Sequence, residues 1–143
     1  MSPYEFTNVL AAIDGSDDAG KALDCALSIC HALDARLTVL AVEGKLPAYA
    51  ALRGEVDEAK REKDEFFRRV LDIARARAEE HGVSVHTDLV PGHSADVILH
   101  YAAAHEHDLI VVAHHGHPLG DVLLGSTADR VAHHAHCPVV VVP

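Results

Sequence analysis

Asp108–Thr127 reads DLIVVAHHGHPLGDVLLGST, and its interpretation decides the fold. The apolar run Leu109–Ala113 predicts a buried strand that feeds a polar, glycine-containing loop. That loop ends at Gly125-Ser126-Thr127, where a new helix is expected to start. One reading is a phosphate cradle: glycine lets backbone N–H groups approach an anion, and a helix start supplies unpaired donors and a positive dipole end. The other is a plain capped helix, in which Ser126 and Asp129 form a variant of the capping box and no ligand is required. A lone glycine-containing loop does not choose between them.

Working outward, short apolar strands alternate with helical periodicity. Thr7–Ile13 (TNVLAAI) predicts a fully buried strand ending at Asp14-Gly15-Ser16. Ser16 or Asp17 can cap a helix running to about Leu33, with Leu23, Ala26, Leu27, Cys30 and Leu33 on its apolar stripe. Arg36–Val42 (RLTVLAV) is a second strand, and Glu43–Gly54 is aperiodic and reads as a loop. A long charged helix follows from Glu55 to about His81, its apolar face assigned to Val56, Ala59, Phe66, Phe67, Val70, Ile73 and Ala74, with Gly82 as the stop. Val83–Val90 alternates as a strand, Pro91-Gly92 turns the chain, and Ser94 to about His105 is a third helix. Ala128–His134 gives the last helix and Pro138–Val142 (PVVVV) the last strand.

This βα alternation predicts an α/β protein, with one doubly wound, open parallel sheet covered by helices on both faces. Ligands of such sheets sit beyond the carboxyl ends of the strands, where the strand order reverses. Asp14, Val42 and Ala113–Gly116 meet there if the first and fourth strands are neighbours.

Composition narrows the function classes. A chain of 143 residues with 49% hydrophobic content suits a single domain, residues 1–143, with a proper core. No apolar run approaches the ~20 residues of a membrane span, and MSPYEFTNVL lacks an export signal, so a cytoplasmic protein without a membrane partner is expected. The net charge of −10 argues against nucleic-acid binding, which needs a basic face. Cys25, Cys30 and Cys137 form no CxxC pair and read as buried thiols.

Taken together, VLAAIDGSD, RLTVLAV, the Pro-Gly turn, DLIVVAHHG…LLGST and HCPVVVVP resemble the universal stress protein family over nearly the whole length. The resemblance implies an adenine-nucleotide alpha-hydrolase-like sheet in the order 3-2-1-4-5. It also implies homodimers joined through the last strand, with higher homo-oligomers open, and bound ATP, or AMP or ADP, with Mg2+. Carried over residue by residue, Ala12 and Asp14 lie against the adenosine, Val42 offers backbone groups to the adenine edge and Val112 lines the base. Ala113, His115, Gly116, Gly125, Ser126 and Thr127 then form the phosphate loop. The common nucleotide-binding pattern of the family is Gly-x2-Gly-x9-Gly-Ser/Thr. Here it reads Ala113-x2-Gly116-x8-Gly125-Ser126, which matches a short-loop branch of the ATP-binding type. An alanine in the first glycine position restricts positive φ and close backbone approach.

Thirteen histidines are the most unusual feature of the chain, with clusters at His105/His107, His114/His115/His117 and His133/His134/His136. His133 and His136 beside Cys137 suit a zinc-like ion by chemistry, yet no established finger spacing is present, and no metal is assigned. His114-His115-Gly116-His117 also spells the HxGH of a nucleotidyltransferase superfamily, but after the fourth strand instead of the first, and is read as coincidence. Between Leu109 and Asp129 the chain has three histidines and neither lysine nor arginine. Their protonation is one way to strengthen phosphate binding below neutrality; solvated loop imidazoles are the other reading. No catalytic set is assigned, since no nucleophile has a positioned base. Function therefore rests between a nucleotide-binding stress or signalling protein, a nucleotide-free interaction module and a slow ATPase.

Overall fold

A computed structural model describes residues 4–13, 17–44, 55–114 and 126–143. Nine elements follow one another: β1 (Asn8–Ile13), α1 (Asp17–Leu33), β2 (Arg36–Glu43), α2 (Glu55–Glu80), β3 (Val85–Pro91), α3 (Ser94–Ala104), β4 (Leu109–Ala113), α4 (Thr127–His134) and β5 (Val139–Val142). All strand pairs are parallel and the sheet order is β3-β2-β1-β4-β5, as the resemblance implied.

The strands are apolar throughout because both faces of the sheet are covered, so successive side chains enter opposite cores. Val9, Ala11 and Ile13 of β1 and Leu37, Val39 and Ala41 of β2 pack with Leu23, Leu27 and Cys30 of α1 and Phe67, Leu71 and Ala74 of α2. Leu10, Ala12, Leu40 and Val42 turn the other way, joining Ile98 and Tyr101 of α3 and Ala128 and Val131 of α4. The amino ends of β1 and β4 are locked together by Asp108. Its carboxylate accepts from the Thr7 N–H (2.9 Å), the Thr7 hydroxyl (3.1 Å) and the Asn8 N–H (3.1 Å).

Two helix faces differ from the periodicity reading. On α2 the buried residues are Phe67, Leu71, Ala74 and Ala78, while Phe66 and Ile73 are exposed. The seam that meets the sheet is narrower than the apolar stripe, so the spacing i, i+4, i+7, i+11 decides which apolar residues are covered. Leu33, assigned to the stripe of α1, is also exposed because it lies at the helix end, past the sheet contact.

The first three helices close with the same hydrogen-bond motif. Ala35 N–H bonds Cys30 C=O (3.0 Å), Val83 N–H bonds Ala78 C=O (2.9 Å) and His107 N–H bonds Ala102 C=O (2.9 Å). The residue before each donor takes a left-handed conformation: Asp34 (φ 54°), Gly82 (φ 68°) and Glu106 (φ 55°). This is the Schellman geometry, favoured by glycine, and only α2 has the glycine that the sequence reading used as a stop. In α3 the motif pulls His107 into the interior, where it is 4% exposed.

Candidate functional site at the carboxyl ends of the strands

The β1–β2 ladder continues to the end of β1, pairing Ala12 with Leu40 and Ile13 with Ala41. The β1–β4 ladder does not. It runs through Val9–Leu109, Leu10–Ile110 and Ala11–Val111 and stops, although β1 continues to Ile13 and β4 to Ala113. β4 instead stays with β5, since Ala113 pairs with Val142 and the His114 N–H donates to the Val142 carbonyl (2.7 Å). The two central strands therefore part at their carboxyl ends, at the topological switch where such sheets take ligands.

Three of the sequence-predicted site residues meet there on one face. Ala12, Val42 and Val112 are buried and belong to the same apolar cluster, together with Ala128 of α4. Ser126 is the N-cap of α4: its backbone is extended (φ −63°, ψ 154°) and its Oγ accepts from the Asp129 N–H (3.1 Å). Its carbonyl accepts the first intrahelical bond, from the Arg130 N–H (3.0 Å). Thr127, the first helical residue, is half-buried. The cap thus has the geometry of the capped-helix reading, and it also leaves the positive end of α4 close to the crevice. Arg130 pairs with Asp96 of α3 (3.2 Å) in an exposed contact. Asp14, His115, Gly116 and Gly125 lie outside the described residues, as does the HxGH string beyond His114.

Ala113, the departure from the glycine pattern, ends β4 in ladder geometry and is not among the residues with positive φ. Its methyl group packs against the α1/α2 core, opposite to Val112. The conformational penalty feared for an alanine therefore does not arise.

A recess of about 530 Å³ borders this end of the sheet on the α2 side, with Glu43, Lys60, Asp64, Arg68, Leu89 and Gly92 in its lining. Glu43 ends β2 and is 8% exposed. Burial, then its hydrogen bond to Asp64, raises the Glu43 carboxyl above its ordinary value. The Glu43 carbonyl accepts from Gly92 N–H (3.0 Å), and Lys63 Nζ donates to the Gly44 carbonyl (2.9 Å). Sequence reading placed Glu43 in a loop and missed this cluster. The available signal was a single carboxylate closing the otherwise apolar run RLTVLAVE.

The cysteines are buried or half-buried, and burial pushes the Cys30 thiol up to about 11 and raises that of Cys137. Such thiols are poor nucleophiles near neutral pH. His133 and His136 are exposed beside half-buried Cys137, and among the described residues no group of three His, Cys, Asp or Glu is placed to hold a metal ion. No helix among them is long and apolar enough to cross a membrane.

Comparison with known proteins adds a family assignment to this geometry. Residues 5–143 match the model of the universal stress protein family. The chain is 34% identical to universal stress protein YxiE of Bacillus subtilis, with 96% of this chain and 99% of that protein covered. Among solved structures it resembles a universal stress protein family member from Burkholderia pseudomallei, with 31% identity, TM-score 0.75 and 99% of each chain covered. A universal stress protein crystallised in complex with cAMP superposes with TM-score 0.77 at 26% identity, covering 97% of this chain and 98% of that one.

Proposed function

This chain belongs to the universal stress protein family, and from that premise we propose that it binds an adenine nucleotide at the crevice between β1 and β4. The observation that carries the proposal is the early end of the β1–β4 ladder beside the capped start of α4. Ala12, Val42 and Val112 supply an apolar wall for a base, and Asp14 a carboxylate for ribose hydroxyls. His115, Gly116, Gly125, Ser126 and Thr127 supply the phosphate end, with Ala113 at the start of the loop. ATP with Mg2+ is the ligand proposed, with AMP and ADP as shorter occupants. The cAMP-bound relative supports adenine as the recognised base. The protein acts in the cytoplasm as a homodimer joined through β5, and its occupied state serves a stress or signalling role. On this reading any hydrolysis is slow.

The test is to purify the protein without added nucleotide, denature it, and identify the released small molecules by mass-detected chromatography. Stoichiometric adenine nucleotide is expected, together with a thermal shift on adding Mg-ATP. Ligand at a hundredfold its Kd adds about 2.7 kcal/mol to stability. Affinity rising from pH 8 to pH 6 at constant magnesium and ionic strength would assign the loop histidines a share of the phosphate contact. An empty protein that shows no shift overturns the proposal and favours an interaction module of the same fold.

A further inference from the structure

His107 sits where α3 hands over to β4, and the junction around it clamps onto the amino end of β1. The Asn8 carbonyl accepts from the Asp108 N–H (3.0 Å) and from Nδ1 of His107 (3.3 Å). The Asn8 side-chain amide donates back to the carbonyls of His105 (3.1 Å) and Glu106 (3.3 Å). A carbonyl only accepts, so Nδ1 of His107 carries the proton and Nε2 the lone pair. Nε2 is closed to solvent and has no hydrogen-bond partner. The site therefore suits a neutral imidazole. A second proton would create a buried cation whose new N–H meets no acceptor.

The charges around His107 do not remove that cost. Burial lowers its pKa most; the Asn8 carbonyl opposes this, His105 lowers it further, Asp108 raises it and Arg36 of β2 lowers it. The Asp108 oxygens are already held by Thr7 and Asn8, and Asp88 of β3 accepts from the Tyr101 hydroxyl. From α3, the Tyr101 ring lies 4.0 Å from that of His105 and 5.9 Å from that of His107, between centroids. His86 of β3 faces the same cleft. The turn that keeps His107 inside is itself strained, because exposed Glu106 takes φ 55°, a conformation that a Cβ disfavours.

We propose that the α3–β4 junction is an acid-released latch, in which protonation of His107 expels its imidazole from under Asn8 and frees residues 105–108 from the amino end of β1. In the closed form Leu37 and Tyr101 are buried. Both line a cleft of about 290 Å³ together with Asn8, His105 and His107, so release uncovers an apolar surface that the closed form withholds. A histidine with a lowered folded pKa contributes stability that is fully present above the unfolded value of ~6.5 and lost as pH falls through the folded one. Once released, the imidazole takes up its proton at the ordinary value. The opening constant therefore grows about tenfold for each pH unit below ~6.5, until the closed form is protonated too.

The test is amide hydrogen exchange by NMR on the labelled full chain at pH 7, 6 and 5, expressed as protection factors and repeated at low urea concentrations. The Asn8, His107 and Asp108 N–H groups report the latch, since they bond the Asp108 carboxylate and the Ala102 and Asn8 carbonyls. Val111, fully buried in the central strand β4, reports global unfolding. Protection at the three latch amides is expected to fall about twentyfold from pH 7 to pH 5. It should depend little on urea, because a local opening exposes little surface. H107Q, which cannot gain the charge, is expected to lose this fall. Latch protection that does not change with pH, urea dependence as steep as at Val111, or the same fall in H107Q would each overturn the proposal. So would a His107 ring that titrates near ~6.5 while the amides stay protected. The wild-type measurements decide it even if H107Q does not fold.

Discussion

The Tyr101 hydroxyl donates to the Asp88 carboxylate across 3.0 Å, joining the last turn of α3 to the edge strand β3. Burial and this bond push the phenol up to about 12. Tyr101→Phe is expected to cost about 1–2 kcal/mol, because the carboxylate loses its donor. An acid with a raised folded-state pKa holds its proton longer when folded. Its contribution is thus complete below the unfolded value of ~10 and is lost as pH rises towards 12. Urea unfolding should show that alkaline loss in the parent and a smaller one in the variant. Equal slopes between pH 9 and pH 11 would remove the bond from the account.

Ser126 separates folding from ligand binding. Ser126→Ala removes the cap of α4 and should cost ~1 kcal/mol in chemical denaturation. Ser126→Asp keeps a capping oxygen but sets a negative charge where the proposed phosphates lie. It should retain stability and lose nucleotide affinity more than tenfold. Unaltered affinity in Ser126→Asp would move the phosphates away from this helix start.

Glu43 carries a pH signature. Its raised pKa means that its contribution to stability is fully present below the ordinary glutamate value and lost as pH rises through the folded one. Glu43→Gln keeps a donor for Asp64 without the ionisation. Compared with the parent, it should gain stability progressively above pH 4 and reach a plateau. A difference that is flat with pH would show that the carboxyl titrates as a solvated group.

Asp34 stands in the left-handed position that closes α1. Asp34→Gly relieves the backbone strain, partly offset by the entropy of glycine, and should stabilise by about 0.5–1 kcal/mol. A midpoint shift to lower denaturant would mean that the aspartate is held there by a contact worth more than the strain.

Val141 is 37% exposed on β5, a sheet edge. On the proposed homodimer through β5, Val141→Lys should yield monomer in sedimentation, because an edge lysine opposes strand pairing. Dimers that persist would locate the interface elsewhere.

Much of the molecule was determined by the sequence itself. Unbroken apolar runs such as VLAAI and LIVVA cannot be half-exposed strands, so they demand helices on both faces and a parallel sheet. Gly82 and Ser126 mark element ends through local backbone chemistry, which needs no distant partner. The candidate crevice was legible for the same reason, as Ala12, Val42 and Val112 sit at the ends of such runs. Tertiary structure decided what depends on residues far apart in the chain. Phe66 and Ile73 are apolar and helical, yet only the position of α2 on the sheet exposes them and buries Leu71 and Ala78. Ala113 looked strained until its place in the β4–β5 ladder turned its methyl into the α1 core. For Glu43 the local signal is only a single carboxylate closing an apolar run, and His107 carries none. One is enclosed with Asp64 of α2 and the other is drawn under Asn8 of β1. Periodicity records how a segment faces its own axis, whereas burial and proton affinity depend on what the rest of the fold places against it.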